Sequence, residues 1–186
     1  MRLGKNQETR MGKTAGTWKA VDHRIGMQPI NQTSTTQNHP FGTVVRCKDV
    51  GATNYGEGEF VYCKGVASGA LNAWAGIRKK AGLTTLATTS GAYDLIGTMM
   101  ATLDATTKFG WLQISGRAIG KCLTQFADNG VVYLTGTPGS IDDASVAGDV
   151  IVGAHGRNGA TVTVGDLAGE FELNRPFSLR RTAATG

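Results

Sequence analysis

The tripeptide Gly12-Lys13-Thr14 has the residue types that end a phosphate-binding loop. Such a loop reads G-x-x-x-x-G-K-[ST], follows a buried strand and opens a helix. Its main-chain N–H groups wrap the phosphates and its lysine reaches the outer ones. Here Gln7 stands where the leading glycine belongs, and the segment before Gly12, MRLGKNQETRM, is too polar for a buried strand. A second near match, GRAIGKC from Gly116 to Cys122, is one residue short and places Cys122 where a hydroxyl would hold magnesium. Neither stretch meets the requirements of nucleotide chemistry.

The other reactive side chains are scattered. His23, His39 and His155 are the only histidines, and none has metal-ligand spacing to another or to a cysteine. No G-x-S-x-G elbow occurs. Asp142, Asp143 and Asp149 share one loop, but DDASVAGD lacks the alternating oxygen ligands of a calcium loop, so a solvated turn is expected. Cys47, Cys63 and Cys122 are odd in number and widely spaced, and they read as small buried side chains. The expectation is a protein without catalysis, metal or cofactor.

Composition points to strands. Glycine accounts for 27 of 186 residues, about twice the usual share, and only 18% of residues are charged. Abundant Gly and Thr with few charges suits short strands joined by turns. One domain with appendages fits the length. No apolar run is long enough to cross a membrane as a helix. MRLGKNQETRMGK has no apolar signal core, so synthesis in a cytoplasm is expected.

Charge is segregated along the chain. Residues 1–48 hold eight Lys or Arg against Glu8 and Asp22, a net of +6. Residues 49–174 hold eight basic and twelve acidic residues, a net of −4, and residues 175–186 add Arg175, Arg180 and Arg181. An acidic body with basic ends predicts segments that bind something acidic.

Residues 1–42 show no periodicity, and QPINQTSTTQNHPFG reads as an extended linker, so this part is predicted to be a basic arm. Trp18, Val21, Ile25 and Met27 are then anchors for a partner, unless they fold back on the body. From Thr43 strands are predicted through TVVRCKDV, GEFVYCKGVA, AWAGI and LTTLATT. YDLIGTMMATLD and KFGWLQISGRAIGKCL read as a hairpin, with Leu112, Ile114 and Ala118 on one face and Trp111, Gln113, Ser115 and Arg117 on the other. The Asn-Gly of ADNG predicts a tight turn returning through VVYLTGT. PGSIDDASVAGD is a loop, and VIVGA is paired with TVTV through a second Asn-Gly turn. In GEFELNRPF, Phe171 and Leu173 face in while Glu170 and Glu172 face out. Nine or ten short strands predict an all-β sandwich or barrel over residues 43–177, followed by a basic tail at 178–186.

The stretch from Gly58 to Phe177 resembles the decoration, or cement, proteins of tailed-bacteriophage heads. The resemblance lies in KFGWLQISGRAIGKC, VVYLTGTPGSIDDASVAGDVIVGA and the closing ELNRPF. Such proteins join an aromatic-Gly-Trp strand to I-x-G-x-A, continue through L-T-x-T-x-G-x-x-D-D, and end near L-N-R-P. The resemblance implies a jelly-roll or tulip-like all-β protein, commonly a homotrimer, on the outer capsid surface of a virion. It would bridge neighbouring major capsid subunits against internal DNA pressure, with no cofactor, no membrane and no direct nucleic-acid contact.

On that view the partner-binding residues are the basic and aromatic ones of arm and tail: Arg2, Lys5, Arg10, Lys13, Trp18, Lys19, Arg24, Phe41, Arg175, Arg180 and Arg181. Removing residues 1–40 is then expected to leave a folded body. Three other readings remain: a tail or neck structural protein, a nucleic-acid-binding module using the basic arm, and a sugar-binding module in which exposed Trp74 or Trp111 stacks on a ring.

Overall fold

The computed structural model describes residues 18–21, 26–51, 55–78, 83–89, 91–127, 129–147, 149–158, 161–162 and 168–178. Eleven strands run in order: β1 (Trp18–Ala20), β2 (Val44–Asp49), β3 (Glu57–Lys64), β4 (Trp74–Arg78), β5 (Leu83–Leu86), β6 (Leu95–Met99), β7 (Phe109–Lys121), β8 (Val131–Leu134), β9 (Ile141–Asp142), β10 (Val150–Gly156) and β11 (Ala168–Ser178). There is no helix among the described residues. The ladders between strands are antiparallel and join in one branched sheet that does not close into a barrel. The all-β expectation is met, and the architecture agrees with the sandwich class.

The longest strand, β7, organises the sheet. Phe109–Ser115 pairs with β3 on one edge, while Leu112 and Gln113 pair with β6. Ser115–Lys121 then pairs with β11. The exchange of neighbours occurs at Gly116, whose φ of +84° is open to glycine and strained for other residues. A Cβ there would lie 2.2 Å from the Glu57 carbonyl oxygen, a main-chain atom held in β3. From this hub the main path runs β1-β2-β3-β7-β11-β10-β8-β9, and β6, β4 and β5 form a side branch.

Alternation along each strand divides the apolar residues into three clusters. Val61 and Cys63 of β3 and Leu112 and Ile114 of β7 meet Ala75 and Ile77 of β4 and Met99 of β6. Ala118 of β7 joins Phe171 and Leu173 of β11, Ile151 of β10, and Val132 and Leu134 of β8 around Trp74. Trp74 meets Phe171 edge-on at 5.1 Å. The third cluster occupies the opposite face of β3 and β7, where Phe60, Tyr62 and Trp111 are covered by Ile30, Met27 and Phe41.

That third cluster corrects the reading of residues 1–42 as an arm, for the part of it that is described. Residues 26–43 form a strap across the aromatic face. Ser34 and Phe109 exchange main-chain hydrogen bonds of 3.0 and 2.8 Å, and Gly42 N–H donates to the Tyr62 carbonyl at 2.9 Å. Ile30 is fully buried, and β1 pairs with β2 through Trp18↔Asp49 and Ala20↔Cys47. Without this cover three aromatic rings would face water. The segment lacks periodicity because each buried residue is held by an irregular loop, not by a regular face. The expected arm–body boundary at residue 42 falls within a packed unit.

Other expectations are adjusted by long-range pairing. Asn129 does take the positive φ (54°) of a turn residue, but β8 pairs with β9 and β10 and not with β7. The partner of β10 is β11, whereas Thr161 and Val162 of the expected TVTV strand are not in a strand. β6 and β7 pair antiparallel as expected, though over two residue pairs only. GRAIGKC lies almost wholly within β7, an extended strand and not a phosphate-wrapping loop. The three cysteines are buried free thiols, as read from the sequence.

Candidate docking surface

β2 alternates strictly: Val45, Cys47 and Asp49 face inward while Val44, Arg46 and Lys48 face outward. β1 continues that outer face with Lys19, and Val21 follows, fixed by its N–H to the Arg46 carbonyl at 3.0 Å. The β4–β5–β6 branch packs over the Val61–Cys63 half of β3 and leaves the β1–β2 half of the same face open. Three aliphatic side chains are exposed there, Val21 at 45%, Val44 at 39% and Val50 at 50%.

The charge on this face is basic. Lys19 and Lys48 are direct cross-strand partners, and both are exposed. Glu57, opposite Lys48 on its other side, is engaged by Arg46 in an ion pair of 2.5 Å. Neither lysine has an ion-pair partner among the described residues. Like charges placed opposite one another repel and contribute nothing to the fold. A face combining exposed valines with unneutralised lysines suits an acidic protein surface with apolar spots.

Of the residues predicted for partner binding, Lys19 alone among those described projects freely from this face. Trp18 turns inward and meets Phe60 edge-on at 4.8 Å. Phe41 stacks on Phe109 at 5.9 Å. Both rings are half-buried and packed against the chain's own core, so the faces expected to anchor a partner are in part engaged internally. Arg175 forks onto Glu59 through Nε and Nη2 at 2.8 and 3.1 Å, so its charge is neutralised internally. Those hydrogen bonds, followed by the charges of Arg175 and Arg46, hold the Glu59 carboxyl below its usual range against the opposing effect of burial. Arg2, Lys5, Arg10, Lys13, Arg24, Arg180 and Arg181 lie outside the described residues.

Val21 was read from sequence as an anchor for a partner and is exposed on this face, whereas Val44, Arg46, Lys48 and Val50 were not singled out as members of a site. The readable signal was the alternation of VVRCKD, which puts Val44, Arg46 and Lys48 on one side. The missing information was which side stays uncovered, and that depends on where β4–β6 dock.

The sugar-stacking reading loses its residues, since Trp74 and Trp111 are both fully buried. Glu170, expected to face out, is buried and ion-paired to Arg117. Asp149 is also buried, and Asp143 accepts the Ala127 N–H at 2.8 Å, so this loop is less solvated than expected. Among the described residues no three His, Cys, Asp or Glu side chains converge as a metal site would require. A cavity of about 10 Å³ lies between Trp18, Tyr55, Gln113 and Arg117. That volume suits one water molecule, against the roughly 300 Å³ or more of a metabolite pocket.

Comparison with family models, with characterised proteins and with solved structures finds no match for this chain.

Proposed function

We propose that this protein is a structural component of a phage virion. It docks on the outer surface of the head and cements neighbouring major capsid subunits against internal DNA pressure. The supporting observation is the open β1–β2 face, where Lys19 and Lys48 stand side by side among exposed valines without an ion-pair partner among the described residues. The resemblance of residues 58–177 to head decoration proteins supplies the partner class. A mechanical role requires a stiff body with a sticky face, and the branched sheet with three apolar clusters is built that way. Self-association as a homotrimer belongs to the same reading.

The test is to mix the purified protein with empty shells of the corresponding phage and image the particles. Regular added density on the outside of the shell, weakened by Lys19→Glu with Lys48→Glu, is the expected result. Bare shells at micromolar protein would overturn the reading. Binding to tail structures alone would move the protein to the tail. Retention on DNA at low salt, lost steeply as salt is added, would favour nucleic acid as the partner.

A further inference from the structure

The polar network that closes the strap depends on one titratable ring. Gln28 is 6% exposed and fills every hydrogen-bonding group it has. Its Oε1 accepts from the Tyr62 hydroxyl and from Asn38 Nδ2, each at 3.0 Å. Its Nε2 donates to the Gln32 and Phe109 carbonyls at 2.8 and 3.1 Å. Its own carbonyl accepts Trp111 Nε1 at 3.1 Å, and its main-chain N–H donates to His39 Nε2 at 3.1 Å. The strap is thus tied to β3 and β7 through one glutamine, and the glutamine's backbone is fixed by His39.

A nitrogen that accepts an N–H bears its lone pair, so the His39 ring is neutral with its proton on Nδ1. The ring is half-buried, edge-on to Tyr62 at 5.0 Å and tilted against Trp111 at 5.3 Å. Among the described residues, Tyr62 from β3, Trp111 from β7, and Gln28 and Asn38 from the strap are the groups that face it. None is charged near neutral pH, and burial pushes the Tyr62 phenol further up.

We infer that residues 26–43 form a pH-gated strap, in which a solvent proton taken up at His39 Nε2 opposes the Gln28 N–H, breaks that bond and releases the strap from the aromatic face. No other bond changes in the step. Freed of His39, Gln28 loses the position from which it holds Tyr62, Trp111 and Phe109, and the strap opens over Phe60, Tyr62 and Trp111.

The direction follows from burial, which lowers the His39 pKa below its ordinary value of 6.5. The closed strap therefore binds the proton more weakly than the open strap. The contribution of the His39 contact to closure is full above about 6.5 and declines as pH falls from there through the lower closed-state value. Between the two pKa values, each unit of pH multiplies the open population by about ten.

The test is amide hydrogen exchange on the full chain at pH 7.5 and 5.5, corrected for the intrinsic effect of pH. The Gln28 and Asn38 amides should show a larger opening constant at pH 5.5, by up to about tenfold, with Phe171 and Leu173 in the β7–β11 ladder unchanged. His39→Gln keeps an acceptor but cannot titrate, and should abolish the difference. Unchanged protection in the wild type, an equal rise in the ladder amides, or the same rise in His39→Gln would each overturn the proposal. Should His39→Gln fail to fold, NMR titration of the wild-type ring decides: a pKa below 6.5 supports the strap, and 6.5 or higher overturns it.

Discussion

Lys19 and Lys48 are directly opposed across the β1–β2 ladder, both exposed and both on the face that the β4–β6 branch leaves open. The arrangement costs the fold electrostatic repulsion and returns no ion pair among the described residues. Lysines on an edge strand also deter unwanted pairing with other chains. Deterrence works with charge of either sign, whereas docking on an acidic surface requires positive charge.

Lys19→Glu should separate these roles. It replaces a repulsive cross-strand pair with an attractive one, a gain of about 0.5 kcal/mol in urea denaturation. Shell binding by the same variant should weaken about tenfold. A variant that is both more stable and fully competent to bind would remove Lys19 from the docking face.

Gly116→Ala should be among the most damaging of the small substitutions. The new methyl group meets the Glu57 carbonyl at 2.2 Å while the residue is held at a φ of +84°. Neither β3 nor β11 can yield without breaking its ladder to β7. A loss on the order of 3 kcal/mol is expected, read as a lowered urea midpoint. A loss below about 1 kcal/mol would mean that the β7 exchange point is not rigid.

The Glu59–Arg175 pair predicts an acid-sensitive contribution to stability. A carboxylate whose folded pKa is depressed stabilises the fold above its unfolded pKa, near the reference value of 4.5 for Glu59. That stabilisation disappears as pH falls through the lower folded value. Arg175→Ala should therefore lose more stability at pH 7 than at pH 3. Backbone strain from the positive φ of Arg175 (45°) is the same at both pH values and cancels in the comparison. Equal losses at the two pH values would show the pair to be energetically silent.

The thiols should resist modification in the folded state. Burial pushes Cys47 up to about 11 and Cys63 up to about 12, and Cys122 is fully buried. While buried, a thiol held that high is almost wholly protonated at pH 8 and is a poor nucleophile. A thiol reagent should label none of the three in native protein over an hour and all three in denaturant. Fast single-site labelling of native protein would reveal local opening.

Much of the local architecture was readable from the chain. The alternation in VVRCKD, the opposed faces of Trp111 and Leu112, and the inward Phe171 and Leu173 all recur in the folded protein. So do the turn conformation of Asn129 and the burial of the three cysteines. These features depend on the two-residue period of a strand and on the φ preferences of single residues, which are properties of short segments. The candidate face was half readable: Lys19 and Val21 were singled out, and Val44, Val50 and Lys48 beside them were not.

The remaining features depended on contacts between distant segments. Gln28 and Ile30 look like linker residues until Tyr62, Trp111 and Phe109 supply their partners. Trp18 and Phe41 look like anchors for another protein until Phe60 and Phe109 occupy their faces. Glu170 looks solvent-facing until Arg117 arrives from β7. The sequence by itself determined strands, turns and the alternation of side chains, because those follow from neighbours along the chain. Only the tertiary structure decided which β7 edge takes which partner, that residues 26–43 close over the aromatic face, and that the Lys19–Lys48 face stays open. Each of those outcomes is a competition between segments far apart in sequence for the same sheet surface.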